Sequence, residues 1–286
     1  MQKRCVINMC SNGQPLISVA MGVYYRRTDT SLLERSINSI LNQSWTNLEF
    51  LICENGSSEP AKILLMRIAN RDRRIRLLDG SGADTLAEKL NRCIRAAQGK
   101  WIARQDDDDV SYPNRLEVQM DYLLSHPQCA FVGCAVDLEQ EDQLVGCRLL
   151  PEQPTIHDFL FVQPYIHPTL LFRKNVLESV EGYCEDECCE GCEDYDLLLR
   201  MYEKGFNGNN LRKIYFSYTI PAQGVRNRSF KMRLNETKTR WRRFASLGLL
   251  PRSFPYVVKP ILVGVVPPTI LSRLKVHFMN RVKYDE

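Results

Sequence analysis

Three short apolar runs, separated by helical patterns, open the chain. They predict buried strands at Leu16–Val23, Leu48–Cys53 and Ile75–Leu78. Two predicted helices follow the first and third runs, and each has its apolar positions on one face. The first set is Leu33, Ile37, Ile40 and Leu41, and the second is Leu86, Leu90, Ile94 and Ala97. Strands that alternate with helices predict a doubly wound, mostly parallel α/β sheet.

Local signals mark the ends of the predicted helices. Ser31 and Glu34 have the spacing of a capping box at the start of the first helix. Pro60 fits the first turn of the second helix, because a proline there loses no intrahelical hydrogen bond. Gly99 is predicted to end the third helix from the C′ position.

An acidic run follows the fourth predicted strand. The apolar stretch Trp101–Ala103 leads into four consecutive carboxylates, Asp106 to Asp109. Charges this close repel, so either some carboxylates are protonated or a cation lies among them. Oxygen ligands on a short turn suit Mg²⁺ or Mn²⁺, and a solvated acidic loop is the alternative. A calcium-binding EF-hand is excluded, because Val110 and Ser111 replace an oxygen ligand and the turn glycine.

Polar clusters follow three of the predicted strands. They are Gly22–Tyr25, Glu54–Ser57 and Asp106–Asp109. In doubly wound sheets, ligands bind beyond the carboxyl ends of the strands. Three polar clusters at one edge therefore predict a binding site more readily than three unrelated solvated loops.

The pattern continues with alternating elements in the second half. A helix is predicted from Asn114 to before Pro127, and Glu193–Asp196 opens another helix that continues to Lys204. Further predicted elements are the strand Cys129–Gly133, the helical stretch His157–Gln163 and the strand Leu170–Phe172. Carboxylates in a first helical turn commonly interact with the helix dipole, and a general base is the functional alternative.

Composition and charge narrow the class of protein. The 286 residues, 44% hydrophobic and 25% charged, fit one large soluble α/β domain with appendages or two small domains. No run approaches the roughly 20 apolar residues of a spanning helix. Residues 226–286 carry fourteen Lys and Arg against three Asp and Glu, which predicts an anionic partner surface, membrane lipid or nucleic acid. Sparse aromatic residues in this tail argue against nucleic acid.

Eleven cysteines are present, but no secretory signal precedes the first strand, so free thiols in a reducing cytosol are expected. Four of them lie within nine residues: Cys184, Cys188, Cys189 and Cys192. Neither their spacing nor the absence of histidine matches a zinc finger. Zinc binding and oxidation sensitivity remain alternatives for this cluster.

The order of these motifs resembles the family 2 glycosyltransferases. The matching segments are Ser18–Tyr24, Ser39–Ser44, Glu54–Ser57, Leu90–Asn91, Gly99–Arg104, the aspartate run, Ser111–Glu117, His167–Thr169 and Glu193–Leu197. The resemblance implies a GT-A, or nucleotide-diphospho-sugar transferase, fold with a C-terminal helical tail. It also implies Mn²⁺ or Mg²⁺ as cofactor and sugar transfer with inversion at the anomeric carbon.

The resemblance also suggests four regions of the chain. Residues 1–15 would be an N-terminal extension, and residues 16–112 the nucleotide-sugar-binding half. Residues 113–222 would form the acceptor-binding half of the same domain, and residues 223–286 a basic, partly apolar tail.

On the donor side, the resemblance implies roles for two groups of residues. Tyr24 would lie against the nucleotide base, with Glu54 and Asn55 near the base and ribose. Asp106 and Asp108 match the Asp-x-Asp pair that holds metal and diphosphate, with Asp107 beside them as a further donor-binding residue.

On the acceptor side, the resemblance implies a binding role for His167. Asp194 would be the general base, within the catalytic pair that it forms with Glu193. Asp196 is the next candidate on this side.

Three positions depart from the family pattern. Family members often have Pro at the position of Gly22, Asn at that of Tyr25 and Asp at that of Asn55. The last difference leaves the nucleotide open, with a UDP-sugar favoured. Lys89 and Arg92 could reach the diphosphate, but helix residues of this kind are expected to be solvated.

The sequence therefore predicts an inverting glycosyltransferase that adds one sugar to a glycan or lipid-linked acceptor in bacterial surface polysaccharide synthesis. It would be cytoplasmic, held peripherally at the inner face of the cell membrane by its basic tail, with a small helical packing unit as the alternative for the tail. A sugar-phosphate nucleotidyltransferase is a rival, but Gly22–Tyr25 lacks the glycine-rich basic loop of that chemistry. A non-catalytic nucleotide-sugar-binding scaffold is a second rival, against which Asp106, Asp108 and Asp194 argue.

Overall fold

A central sheet runs through the computed structural model, which describes residues 13–220 and 229–265. Its first half contains β1 (Ile17–Val23), β2 (Leu48–Glu54), β3 (Ile75–Asp79) and β4 (Trp101–Arg104), connected by α1 (Ser31–Leu41), α2 (Glu59–Arg71) and α3 (Leu86–Ala96). The strand order is β3-β2-β1-β4, and all neighbours are parallel. The predicted parallel, doubly wound arrangement is confirmed in this half.

The elements of the second half are β5 (Val110–Ser111), α4 (Arg115–Ser125), β6 (Phe131–Gln140), β7 (Gln143–Arg148), β8 (Leu171–Arg173), α5 (Lys174–Ser179), α6 (Glu193–Glu203) and β9 (Gly208–Thr219). This half of the sheet is mixed, and it continues from β4 in the order β8-β6-β9-β5, with β7 paired to β6. β6 and β9 are parallel, whereas β8 pairs antiparallel with both β4 and β6. The sequence did not predict β5, β7, β9 or α5, because they are very short or lack a clear apolar pattern.

The core lies in layers on the two faces of the sheet. Along β2, Phe50 and Ile52 face α1 and α2, while Leu51 and Cys53 face α3. β1 is buried at all seven positions, which explains why its sequence reads as a continuous apolar run and does not alternate. Helices thus cover both faces of β1 and β2.

The helix ends differ in detail from the sequence signals. The first helix does begin at Ser31, but the predicted capping box is wrong: the Ser31 N–H donates to Asp29 Oδ1 at 2.9 Å. The reciprocal capping box belongs to α3, where Thr85 and Glu88 exchange both hydrogen bonds. Pro60 lies in the first turn of α2, as predicted.

Gly99 does not end α3, which stops at Ala96. A Cβ at Gly99 would lie 2.6 Å from the carbonyl oxygen of Leu16, and the Gly99 N–H donates to Ser18 Oγ at 2.9 Å. The glycine is therefore needed for a close approach to the start of β1, and the predicted C′ role is wrong.

The described part of the tail is a helical hairpin packed on the domain. It consists of α7 (Phe230–Ser246) and α8 (Phe254–Val265), and α7 contacts α6. Phe244 and Val257 are buried in the same core as α3 and α6. No helix among residues 13–220 and 229–265 is long and apolar enough to span a bilayer. Most of the predicted N-terminal extension and the last residues of the tail lie outside the described residues.

Candidate active site

Tyr24 follows β1 directly, and its ring is 61% exposed. The ring packs against Gly56, where φ is +81° and a Cβ would lie 2.9 Å from Tyr24 Cε2. Glu54 Oε1 accepts a hydrogen bond from the Ser57 N–H at 2.8 Å and so stabilises this turn. One face of Tyr24 is thus held by the turn after β2, and the exposed ring can stack on a planar ligand.

Lys89 is a buried cation beside Tyr24, so the expected solvated position is wrong. Its Nζ donates to the Asn55 carbonyl oxygen at 3.1 Å and lies 5.2 Å from the centre of the Tyr24 ring. Burial lowers the pKa of Lys89, and the nearby acidic groups, Glu54 and Asp107 among them, oppose that shift. Gly22 makes this placement feasible, since a Cβ there would lie only 3.0 Å from Lys89 Cβ.

Asn55 and Arg92 hold the loops around this donor side. The Asn55 Nδ2 donates to the Ala83 carbonyl oxygen at 3.2 Å and to Asp84 Oδ1 at 3.0 Å. Arg92 donates to backbone carbonyl oxygens of the turn after β3. Asn55 thereby presents its Oδ1 as an acceptor. Arg92 stabilises the turn after β3.

The aspartate turn rests on two fully buried arginines. Arg104, at the end of β4, forms an ion pair with Asp106. Arg115, at the start of α4, donates to the Arg104 carbonyl oxygen at 3.1 Å and to the Pro168 carbonyl oxygen at 3.0 Å. Gln105 braces the turn from inside, because its Nε2 donates to the Asp109 carbonyl oxygen at 2.9 Å. These bonds fix the direction in which the aspartates leave the sheet.

The carboxylates of this turn repel one another in a buried setting. Burial, then the charges of Asp108 and Asp106, raise the pKa of Asp107 to about 7. Burial also raises the pKa of Asp109 well above its usual value, and Asp109 Oδ2 is buried without a hydrogen-bond partner among the described residues. The single positive charge of Arg104 does not balance the negative charges of the carboxylates in this turn. These oxygen donors and their repulsion fit a divalent cation of the Mg²⁺ or Mn²⁺ type.

His167 lies in the interior, against Tyr183. Its Nε2 is 2.8 Å from the Tyr183 hydroxyl, and burial, with the charge of Arg104, lowers the pKa of His167 to about 3. Burial raises the pKa of Tyr183, the charge of Arg104 opposes this, and Asp194, Asp106 and Glu193 add to it. Because charges from both places affect its pKa, the Tyr183 hydroxyl is within electrostatic range of the aspartate turn and of the start of α6.

Asp194 is held at the start of α6 by two donors. Its Oδ1 accepts a hydrogen bond from the Tyr195 N–H at 2.7 Å, and its Oδ2 accepts one from Gln163 Nε2 at 3.1 Å. The side chain is half-buried, and Glu193 stands beside it as the first residue of the helix. These two hydrogen bonds fix the direction of the Asp194 carboxylate.

Asp196 is separated from this arrangement by complete burial. Its carboxylate accepts hydrogen bonds from Arg200 Nε at 2.7 Å, Arg243 Nε at 2.8 Å and Arg242 Nη2 at 3.1 Å. Burial would raise the pKa of Asp196, but the arginines outweigh it and hold that pKa below its usual value. The structure therefore places Asp196 in the contact between α6 and α7, and its predicted acceptor-side position does not fit.

The cysteine cluster divides between two environments. Cys184 and Cys189 lie beside Asp196, with these three ligand atoms within 4.8 Å of one another, whereas Cys192 Sγ is 3.4 Å from Thr239 Oγ1. The same arginines that bind Asp196 surround this group, and Arg242 Nη2 lies 3.3 Å from Cys189 Sγ. Their positive charge opposes a zinc ion. Burial, followed by Cys184 and Asp196, raises the pKa of the Cys189 thiol and so favours its protonated form, and Arg242 opposes that shift.

Replacing Asp196 with Asn should destabilise the fold. The substitution leaves Arg200 and Arg243 partly buried without their carboxylate, and breaking a buried ion pair typically costs about 3–5 kcal/mol. Chemical denaturation at pH 7 measures this loss. Since the pKa of Asp196 is depressed in the folded state, its contribution is present near neutral pH and disappears in strong acid. Asp186→Asn, an exposed change in the preceding loop, is the control and should leave stability unchanged.

Three residues of this region were not predicted from sequence: Arg104 under the aspartates, Tyr183 against His167, and Gln163 beside Asp194. Lys89 was considered for the diphosphate, but its burial was not expected. Arg104 offered a signal, because it continues an apolar strand directly before an acidic run. For Gln163 the sequence contained none.

Known proteins that are similar to this chain are named as glycosyltransferases. The "Putative glycosyltransferase EpsE" of Bacillus subtilis is 32% identical over 94% of this chain and 97% of its own length. The "O-antigen biosynthesis glycosyltransferase WbnJ" of Escherichia coli is 34% identical over 72% of this chain and 80% of its own.

Two solved structures share the fold. The mannosyltransferase PcManGT of Pyrobaculum calidifontis, in complex with GDP-Man and Mn²⁺, aligns with a TM-score of 0.58 at 15% identity, over 95% of this chain and 82% of its own. S. aureus TarS 1-349, in complex with UDP, aligns with a TM-score of 0.61 at 16% identity, over 88% of this chain and 76% of its own. The predicted GT-A fold is thereby confirmed. Residues 18–178 match the family described as "Glycosyl transferase family 2", and the chain belongs to this glycosyltransferase family.

Proposed function

We propose that this protein transfers one sugar, with inversion, from a nucleotide-diphosphate sugar to a glycan or lipid-linked acceptor in bacterial surface polysaccharide synthesis. The main support is the aspartate turn after β4, in which Asp109 Oδ2 is buried without a hydrogen-bond partner among the described residues, together with the oriented carboxylate of Asp194. Relatives named for O-antigen and teichuronic acid biosynthesis support the assignment to surface glycans.

On the donor side, Tyr24 stacks on the base, and Glu54 and Asn55 lie beside the base and ribose. Asp106 and Asp108 would hold Mn²⁺ or Mg²⁺, with Asp107 close to the diphosphate. The bound cation supplies charge neutralisation on the leaving nucleoside diphosphate. Neighbouring structures contain UDP, UDP-GlcNAc and GDP-Man, and we favour a UDP-sugar here.

On the acceptor side, Asp194 accepts the proton of the attacking hydroxyl group. The hydroxyl oxygen bonds to the anomeric carbon while the bond from that carbon to the diphosphate oxygen breaks, and the configuration inverts. Gln163 and the Tyr195 N–H orient Asp194 for this step. His167, in its neutral form, supports the acceptor side through its hydrogen bond with Tyr183. Glu193 is the competing candidate for the base.

The products decide between this reaction and its rival. A glycosyltransferase releases a nucleoside diphosphate from a nucleotide sugar, whereas a nucleotidyltransferase forms or consumes pyrophosphate. We expect slow release of UDP from UDP-sugars with Mn²⁺, even when water is the acceptor. Pyrophosphate release would contradict the proposal, and tight nucleotide-sugar binding without any turnover would support a scaffold.

A peripheral position at the inner face of the cell membrane belongs to the same proposal. Lipid-linked acceptors are confined to a bilayer, and the tail carries the excess of basic residues.

A further inference from the structure

The α7–α8 hairpin exposes a continuous apolar face. On α7, Phe230, Leu234 and Trp241 recur at helical spacing and are exposed. On α8, the exposed side chains on one face are Phe254, Leu262 and Val265. The two stripes meet where the rings of Trp241 and Phe254 pack edge to face, with 6.4 Å between their centres. We call these six side chains the hairpin face.

Most charged residues along the hairpin face are cationic, and the acidic exceptions, Glu187 and Glu190, pair with Lys231 at the start of α7. Lys238 lies within the α7 stripe, and Arg252 is exposed in the turn between the helices. The one acidic residue of α7 and α8 is Glu236, which is bound to Arg240 at 2.9 Å. An apolar stripe with Trp and Phe, bordered by Lys and Arg, is the pattern of a helix that lies in a membrane interface.

The hairpin face adjoins the proposed acceptor side. On α8, Lys259 donates to the Phe161 carbonyl oxygen, and its Nζ lies 3.4 Å from the centre of the exposed Phe161 ring. Two residues further along the same loop, Gln163 contacts Asp194. The exposed apolar surface thus extends from α8 through Phe161 toward the proposed base.

We propose that the hairpin face docks on the surface of an anionic lipid bilayer. This inference rests on the proposed function, because it places the acceptor side of the site next to the membrane that would carry a lipid-linked acceptor. The six apolar side chains enter the interface, and the flanking cations bind lipid headgroups.

Charge argues against two other occupants. A second copy of the chain on a two-fold axis would bring the cations around Lys238 close to their own equivalents, and like charges oppose such an interface. The residues after Val265 hold four basic and two acidic side chains, so they are cationic as well. An anionic bilayer is the complementary partner.

Vesicle binding of the full-length protein tests the proposal. The probes are vesicles of phosphatidylcholine alone and of phosphatidylcholine with phosphatidylglycerol, at low and high salt. We expect binding to the anionic vesicles only, weakened by salt. Leu262→Glu should lower the partition coefficient at least ~5-fold, and Lys238→Glu by a similar factor, since one cation near an anionic surface contributes about 1 kcal/mol.

Leu144→Glu is the matched control, because Leu144 on β7 is 64% exposed and Leu262 is 61% exposed. It should bind vesicles as the wild type does, and thermal unfolding should show all three variants folded. The proposal is overturned if the wild type does not bind anionic vesicles, or if Leu262→Glu and Leu144→Glu bind equally. It is also overturned if light scattering shows a dimer that Leu262→Glu converts to a monomer without any change in vesicle binding.

Donor hydrolysis in solution separates this proposal from the proposed function. The variants Leu262→Glu and Lys238→Glu should keep the wild-type rate of nucleoside diphosphate release without vesicles. If the wild type itself releases none, the proposed activity fails, whereas the vesicle measurements still decide the docking surface.

Discussion

Asp194→Asn should lower turnover by roughly 10²-fold or more while donor and metal affinity stay close to the wild type. The amide keeps the shape of the side chain at the start of α6, but it cannot accept the proton of the acceptor hydroxyl. The aspartates of the turn after β4 are poor substitutes, because their oxygens would be committed to the cation and diphosphate. Initial rates and calorimetric titration with nucleoside diphosphate and Mn²⁺ measure the two quantities separately.

The competing base is tested by Glu193→Gln, which keeps the shape of the side chain. Asp186→Asn, an exposed change before α6, serves as the control. We expect Asp186→Asn to be fully active. Our assignment is wrong if Asp194→Asn retains most of its turnover while Glu193→Gln loses it. Asp196→Asn does not enter this comparison, because its expected effect is on folding.

Asp108→Ala should abolish activity and remove the effect of metal on nucleotide binding. In the wild type, nucleoside diphosphate without Mn²⁺ or Mg²⁺ would face several carboxylates, which repel its phosphates. With Mn²⁺, the wild type should therefore bind it at least ~10-fold more tightly than with a chelator, and Asp108→Ala should show no such difference.

Asp121→Ala, an exposed change on α4, is the control and should keep the full response to Mn²⁺. Equal affinity of the wild type with and without chelator would contradict the metal assignment.

The sequence by itself determined the parallel half of the sheet and the place of the aspartate turn. Both follow from short-range patterns: β1 reads as an apolar run because helices cover both of its faces, and the acidic run comes directly after a buried strand. In a parallel sheet, the carboxyl ends of neighbouring strands meet at one edge, so Tyr24, Glu54 and Asp106 were expected to lie together. The ordered motifs resemble those of the glycosyltransferase family, and the family match confirms that resemblance.

Only the tertiary structure decided which charged groups serve the fold. Asp196 and Asp194 are two residues apart in the first turn of one helix, and by sequence both are candidate bases. Arg243, which is 47 positions after Asp196 in the chain, binds the Asp196 carboxylate. Gln163, which is 31 positions before Asp194, orients the Asp194 carboxylate. Sequence periodicity tells which way a side chain points, but the partner that it meets depends on how distant elements pack. For the same reason the burial of Lys89 and Arg104, and the exposed face of the α7–α8 hairpin, became apparent only in three dimensions.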